Sequence, residues 1–290
     1  MRYPQRNIMT RILPLVGLLG LLFSACKKEG AIPAYLTVAT PVVQDASGNG
    51  ISSKITDLWV YVNDQPVGVW EPGRQVPVIA EGSAQVKLIA GIRRNGIVDN
   101  RIQYPFYATW QAAVNLVSGQ TTALAPVFHY YDNLDIWLSD FNTGQRFDTV
   151  DCTAIMELVP SDSTLVGQGS RHGRITLDTD HADYRGVSSG DAFTPTTGNA
   201  FLEMDYRSDT RLLVGVRYTL SGVQKEVAWV YANPTKRSDG SMPWNKIYVD
   251  LAEPWNVGGA LDKRFYIRAQ LENGATTGLV EVDNIKVVQP

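Results

Sequence analysis

The chain has 290 residues, of which 44% are hydrophobic, and a formal net charge of −3. This mildly acidic balance excludes nucleic acid as a partner, because nucleic-acid binding needs a clustered patch of Lys and Arg. The 25 Gly, 13 Tyr and 7 Trp favour β structure, and the length allows one large or two medium domains.

The first element in the chain is a predicted secretory signal over residues 1–25. It begins with a stretch that contains three arginines and no acidic residue, continues with an apolar run over 12–23, and ends on two small residues before Cys26. That order is typical of a secretory signal peptide. The apolar run is too short for a spanning helix, which needs about 20 residues. An ordinary signal peptide cut near Ala25, with Cys26 incidental, is the alternative.

The residues around Cys26 resemble a bacterial lipoprotein signal. The sequence Leu22-Phe23-Ser24-Ala25-Cys26 stands where such signals have their lipobox, although Phe23 replaces the usual aliphatic residue. The resemblance implies a lipid on the thiol of Cys26, which would anchor the mature protein to the outer membrane. It leaves open whether the periplasmic face or the cell surface is occupied. Residues 26–41 would then form a tether.

Residues 42–127 are predicted to form a small antiparallel β-sandwich. The strongest indication is the segment 58–62, in which aliphatic residues alternate with Trp59 and Tyr61. Turn residues and the apolar return strand 67–70 follow, as expected for a β-hairpin.

The first domain also contains a group of aromatic residues. Tyr104, Phe106 and Tyr107 are followed by Trp110 within a few residues. Such a concentration of aromatic side chains is expected to cover the sandwich or to form an interface.

Residues 128–290 are predicted to form a second antiparallel sandwich. In the segment 264–271, the apolar side is formed by Phe265, Ile267, Ala269 and Leu271. Alternation of this kind means that one face of each sheet meets water, as in antiparallel sandwiches. The candidate strands cover residues 201–206, 212–218, 225–231, 246–251, 264–271 and 279–288. The predicted fold class is therefore all-β, with two antiparallel β-sandwich domains.

Three stretches of the second domain carry a further resemblance. Residues 201–206, 244–251 and 280–287 resemble strands of the jelly-roll sandwich found in carbohydrate-binding modules and galactose-binding-like domains. The resemblance covers a little over half of the chain and implies a jelly roll that binds glycan. Through the hairpin 59–70, the first domain resembles small Ig-like or PEGA-like modules, and the whole arrangement is similar to envelope lipoproteins of the Bacteroidota.

Catalytic motifs are not evident in the sequence. The three histidines fall in different segments, without zinc-binding or phosphate-binding patterns. Paired carboxylates for glycoside hydrolysis are an alternative, because several acidic residues lie on or near predicted strands: Glu157, Glu203, Asp205 and Asp250. Carboxylates two apart on a strand share a face, which is more often solvated than catalytic. We therefore predict a protein that is not an enzyme, and a small glycosidase is the less favoured alternative.

One acidic cluster has the composition of a metal site. Asp178, Asp180 and Asp183 place three carboxylates within six residues, and hard oxygen ligands suit a structural Ca²⁺. The spacing does not follow the EF-hand pattern, so the alternative is a solvated loop whose Asp side chains make local turns. No other cofactor is expected.

Aromatic side chains supply the candidate binding residues. Trp229 and Tyr231 are predicted to lie on one side of a strand, Trp255 near a loop and Tyr184 in the acidic loop. Such rings can stack on the apolar faces of sugars, although aromatic residues of sandwiches more often pack in the core. The predicted function is glycan binding by the second domain. The alternative is a structural or docking subunit of a surface or secretion assembly, with an envelope protein as partner.

Overall fold

The computed structural model describes residues 31–290 except 163, 164, 166, 168 and 194–197. The predicted signal peptide and Cys26 lie outside these residues. The protein is all-β with several antiparallel sheets, as predicted, although two sheets of the first domain each include one parallel pair. The segment α1 (Ala252–Trp255) is a single helical turn. Among the described residues, no helix has the length and apolar character needed to cross a membrane.

The first domain is built from strands β1 to β11. Their bounds are β1 Ala34–Val38, β2 Val42–Gln44, β3 Gly50–Ile51, β4 Asp57–Val62, β5 Gln65–Trp70, β6 Gln75–Val78, β7 Gly82–Arg93, β8 Arg101–Gln103, β9 Trp110–Leu116, β10 Thr121–Leu124 and β11 Val127–Phe128. They form sheets of order β10-β1-β6, β11-β2-β3 and β5-β4-β7-β8, and β9 also pairs with β7.

The predicted hairpin is confirmed as β4 and β5. Leu58, Val60 and Val62 are buried, whereas Trp59 and Tyr61 on the other side of the strand are only partly buried. The turn consists of Asn63 and Asp64, whose φ angles are 50° and 59°. Positive φ at both central residues is typical of a two-residue type I′ turn, which matches the twist of the strands.

Part of the predicted tether, residues 26–41, is in fact strand β1. Residues Ala34–Val38 pair in parallel with β10 and antiparallel with β6, and the side chain of Leu36 is fully buried. These residues therefore belong to the first domain. At its other end, β11 pairs with β2 through Phe128, one residue beyond the predicted boundary.

The second domain is a β-sandwich of jelly-roll type built from β12 to β22. Their bounds are β12 Asp135–Ser139, β13 Phe147–Thr149, β14 Met156–Pro160, β15 Arg171–Asp178, β16 Asp183–Ser188, β17 Phe201–Ser208, β18 Leu212–Leu220, β19 Val223–Ala232, β20 Asn245–Asp250, β21 Leu261–Gln270 and β22 Thr277–Gln289. The six-stranded sheet has the order β14-β15-β22-β17-β20, with β12 also on β22, and the five-stranded sheet has the order β13-β16-β21-β18-β19.

The core of this domain lies between the two sheets. Phe265, Ile267 and Ala269 of β21 are fully buried there, as predicted, whereas Leu271 follows the end of the strand and is only partly buried. Met204 of β17 faces them from the six-stranded sheet and is also fully buried.

The first domain covers the outer face of the six-stranded sheet. Phe201, Tyr248 and Val288 of this sheet belong to the same buried cluster as Tyr104 and Phe106 of the first domain. The aromatic group of the first domain thus forms an interface, one of the two predicted outcomes. Because the sheets lie back to back, the outer face of the five-stranded sheet points away from this interface and is called the open sheet face below.

Candidate functional site

Two of the predicted binding aromatics lie in the core. The side chains of Tyr184 and Trp255 are fully buried, and Tyr184 pairs with Ala269 of the neighbouring strand, whose side chain also faces the core. A ring with no exposed face cannot stack on a sugar, so these two predictions are wrong.

Trp229 and Tyr231 lie on different sides of β19. The register of β18 and β19 shifts between Val214 and Gly215, which makes Trp229 the extra residue of a β-bulge. Trp229 packs against the core, and its indole N–H donates to the carbonyl of Asp250 at 2.7 Å. Tyr231 points out from the open sheet face and is 58% exposed. Of the four predicted aromatics, Tyr231 is therefore the one placed to meet a ligand.

Tyr231 borders a groove of about 440 Å³ on the open sheet face, called the sheet-face groove below. Its volume lies within the range of small-molecule sites, roughly 300–1,000 Å³. The lining residues combine one aromatic ring, two aliphatic side chains and several polar groups: Arg211, Leu213, Tyr231, Arg268, Gln270, Leu271, Glu272 and Asn273.

Cross-strand pairing explains how these side chains meet. Leu213 of β18 lies directly between Tyr231 of β19 and Arg268 of β21. Leu213 also belongs to a small buried cluster with Val187 and Tyr266 on this outer face. The floor of the groove is therefore fixed by packing that is separate from the main core.

A carboxylate holds one wall of the groove in place. The guanidinium of Arg268 donates to both carboxylate oxygens of Asp183, at 2.9 and 3.2 Å. These hydrogen bonds raise the pKa of Arg268 above its ordinary value. Arg211, in contrast, makes no ion pair with any residue that the structure describes, so its donors are available to a ligand.

The predicted calcium ligands do not come together. Asp178 accepts hydrogen bonds from the backbone N–H groups of Asp180 and His181, at 2.9 and 2.7 Å, and these lower its pKa. Asp183 is engaged by Arg268. Within the described part of the chain, no group of three or more His, Cys, Asp or Glu side chains is arranged to hold a metal ion. The alternative of local Asp turns fits Asp178.

The carboxylates considered for glycoside hydrolysis are also separated or enclosed. Glu157 lies on β14 and Asp250 on β20, which are opposite edges of the six-stranded sheet. Glu203 and Asp205 are fully buried under the first domain. Glu203 accepts hydrogen bonds from the hydroxyls of two tyrosines, at 2.6 and 2.7 Å: Tyr104 and Tyr130.

A lysine completes this enclosed cluster, which is called the carboxylate–lysine cluster: Glu203, Asp205 and Lys246. The Nζ atom of Lys246 lies 3.2 Å from Glu203 Oε2 and 3.8 Å from Asp205 Oδ1. Burial alone would raise the pKa of Glu203, but Lys246, Lys286 and the tyrosine hydroxyls outweigh it and lower the pKa. A glycosidase acid needs a raised pKa and access to substrate. Glu203 has neither, because its pKa is lowered and its side chain is fully buried.

The sheet-face groove includes residues that no sequence motif marks. Glu272 and Asn273 stand in a sequence that signals only a turn before Gly274, and Arg211 precedes a strand without any motif. Only the pairing of distant strands brings them beside Tyr231. One sequence feature points to Glu272 and Asn273: they are turn residues that directly follow a strand.

Comparisons with known proteins give only distant structural similarity. No protein-family model matches the sequence, and no curated protein does. Among solved structures, a structure titled for the promiscuous specificity of carbohydrate-binding modules from the β-sandwich superfamily is 15% identical, with 88% of this chain and 96% of that chain covered and a TM-score of 0.39. A CBM29-2 mutant complexed with mannohexaose is 10% identical, with 54% and 92% covered and a TM-score of 0.36. Because these scores are low, the function of the groove has to be inferred from its own residues.

Proposed function

We propose that this protein is a non-enzymatic, lipid-anchored outer-membrane protein that binds glycan in the sheet-face groove. The observation that carries the proposal is the position of Tyr231. Its ring is 58% exposed on the open sheet face, at the edge of a groove with polar walls. The first domain packs on the opposite face of the sandwich.

The chemistry of the groove suits a sugar. A pyranose ring has an apolar face of C–H groups that can lie against the ring of Tyr231, and a rim of hydroxyls that need donors and acceptors. Arg211 supplies donors, whereas Gln270 and Asn273 supply both donors and acceptors through their amides. One aromatic surface surrounded by a few polar groups is the usual composition of a small-molecule site.

Binding without catalysis is supported by the state of the acidic residues. Glu203 and Asp205 are enclosed, and Asp183 is held by Arg268. Glu272 is the one carboxylate among the described residues that line the groove, and it is exposed. A single carboxylate does not supply the acid and base pair that glycoside hydrolysis needs.

The anchor is supported by the sequence around Cys26. A lipid on this thiol would hold both domains at the outer membrane, on the periplasmic or the cell-surface side. Strand β1 begins at Ala34, so only a short segment separates Cys26 from the first domain.

A panel of neutral polysaccharides tests the proposal by affinity electrophoresis and calorimetry. No tryptophan is among the described residues that line the sheet-face groove, so calorimetry is preferred to tryptophan fluorescence. Tyr231→Ala should weaken binding about tenfold or more, because loss of a central aromatic contact typically costs ~2 kcal/mol. Tyr131→Ala is the matched control, since Tyr131 is 45% exposed and does not line the groove.

Two outcomes would contradict the proposal: no glycan of the panel binds, or Tyr231→Ala binds as tightly as the unaltered protein. The first outcome, together with a partner recovered by gentle crosslinking in cells, would favour the docking-subunit alternative.

A further inference from the structure

A second and larger cavity lies between the two domains. This interdomain cleft has a volume of about 630 Å³. The first domain lines it with Lys54, Arg93 and Asn95, and the second domain with Arg237 and Trp244, among others. Both domains therefore contribute to its walls.

The lining of the interdomain cleft is positively charged, although the chain as a whole is acidic. Four basic side chains line the cleft, and Asp205 is the one carboxylate among its described lining residues. Asp205 is itself engaged, because it accepts a hydrogen bond from Ser52 at 2.7 Å and lies 3.8 Å from Lys246. The four basic residues are Lys54, Arg93, Arg237 and Lys246.

Of these four cations, Lys246 is the one that forms an ion pair with a described residue. It lies between Glu203 and Asp205. Among the described residues, no carboxylate lies within ion-pair distance of Lys54 or Arg93. Burial and the charge of Arg93 lower the pKa of Lys54, which shows that the two cations act on one another. A bound anion would relieve this repulsion.

Two buried donors in the same lining also have no acceptor. Arg93 Nε and Trp244 Nε1 are both buried without a hydrogen-bond partner among the described residues. A buried donor without an acceptor is costly to the fold. The cation of Arg207 lies 4.9 Å from the ring of Trp244 and fixes this indole in the wall.

We propose that the interdomain cleft binds an acidic sugar, whose carboxylate or sulfate group pairs with Lys54 and Arg93. The anion would supply acceptors to these cations. The ring of Trp244 and the amide nitrogen of Asn95 would contact the rest of the sugar. The amide oxygen of Asn245 accepts a hydrogen bond from Lys54 and holds that lysine in the cleft. Tyr231 lines both this cleft and the sheet-face groove, so one glycan chain can reach from one to the other. The saccharide class rests on the proposed function, whereas the anion site rests on the cleft alone.

The test is calorimetric titration of the full chain without its signal peptide. The probes are a galacturonic acid trimer, its methyl ester and galactose 6-sulfate. The acidic trimer should bind more tightly than its neutral ester, and its affinity should fall with added salt because screening weakens charge pairing. Galactose 6-sulfate separates a sulfate site from a carboxylate site.

Variants locate the binding. Lys54→Gln and Arg93→Gln should each reduce affinity for the acidic trimer about tenfold or more, since hydrogen bonds to charged groups are among the stronger ones. Both should weaken binding of the methyl ester much less, because the ester has no charge to pair with these cations. The control is Lys87→Gln, a lysine of the first domain that pairs with Asp64 outside the cleft. Thermal unfolding of each variant checks that the fold is retained.

The cleft proposal is overturned if neither acidic probe binds, or if both probes bind Lys54→Gln and Arg93→Gln as they bind the unaltered chain. Arg211→Ala separates the two sites, because Arg211 lines only the sheet-face groove. If a neutral glycan binds in a way that depends on Arg211 and neither acidic probe binds, the cleft proposal is refuted and the groove proposal stands. If the acidic probes bind in a way that depends on Arg93 and no neutral glycan binds, the cleft proposal stands and the groove proposal is refuted.

Discussion

Replacing Lys246 by Met should destabilise the protein strongly. The Nζ atom lies 3.2 Å from Glu203 Oε2 and 3.8 Å from Asp205 Oδ1, and the three side chains are 3%, 0% and 0% exposed. Removing one partner of a buried ion pair leaves the other charge uncompensated and costs roughly 3–5 kcal/mol. Two tyrosine hydroxyls would still donate to Glu203, so we expect the lower end, about 3 kcal/mol.

The loss should depend on pH in a direction that the structure dictates. In the unaltered protein the pKa of Glu203 lies below its ordinary value. Its contribution to stability is therefore present above the unfolded pKa and is lost as the pH falls through the folded pKa. In Lys246→Met the largest of the opposing charges is lost, so burial should outweigh Lys286 and the two tyrosine hydroxyls and raise the pKa of Glu203. The folded variant then takes up a proton at mildly acidic pH, and the deficit should be smaller near about pH 5 than near about pH 8.

Urea unfolding at both pH values measures these losses. Lys87→Met is the control, because Lys87 lies 3.0 Å from Asp64 but the two side chains are 28% and 88% exposed. Exposed pairs of this kind contribute about 0–1 kcal/mol. A loss for Lys246→Met no larger than for Lys87→Met, or one that is the same at both pH values, would refute this account of the carboxylate–lysine cluster.

Three further changes test other parts of the structure. Burial alone would raise the pKa of Glu281, but hydrogen bonds from a histidine and two arginines lower it to about 2. Its contribution is present above the unfolded pKa and is lost as the pH falls toward about 2, so Glu281→Gln should flatten the acid limb of Tm against pH; an unchanged limb would show that another group controls acid unfolding. In Gly91→Ala the new Cβ would lie 2.1 Å from a ring atom of Trp59, and the overpacking should cost about 1–3 kcal/mol by urea unfolding. Gly144→Ala is the control, because its new Cβ would meet no atom within 4 Å. Equal losses of stability for Gly91→Ala and Gly144→Ala would contradict this prediction. Finally, Cys26→Ser should abolish incorporation of radiolabelled fatty acid in cells, and label that persists would rule out this anchor.

The hairpin 58–70 and the strands after residue 200 were predictable because their information is local, whereas β12 to β16 were not predicted. The alternation in 58–62 and in 264–271 places apolar side chains on one face, and the structure buries those faces. The turn at Asn63 and Asp64 is set by residues that tolerate positive φ. Strand β1 was missed, because the segment 34–38 is short and stands among turn-forming residues.

Whether an individual aromatic or charged side chain is buried or exposed depends on partners that are distant in the sequence. For that reason the predicted positions of several of these side chains were wrong. A bulge within β19 turns Trp229 away from Tyr231, and no local pattern announces it. Glu203 and Asp205 have the spacing of a solvated face, yet the first domain covers them. Glu203 meets Tyr104, which lies 99 residues earlier in the chain. Pairing over such distances is decided by how the domains pack.

Hydrogen exchange with a bound neutral glycan tests the central claim most directly. Deuterium uptake of the full chain would be followed by mass spectrometry, with and without a saturating glycan from the panel. We predict slower exchange in residues 211–213 and 268–273 and around Tyr231, the segments that line the sheet-face groove. Protection confined to the first domain, or uptake unchanged in these segments under saturating glycan, would contradict glycan binding at this site.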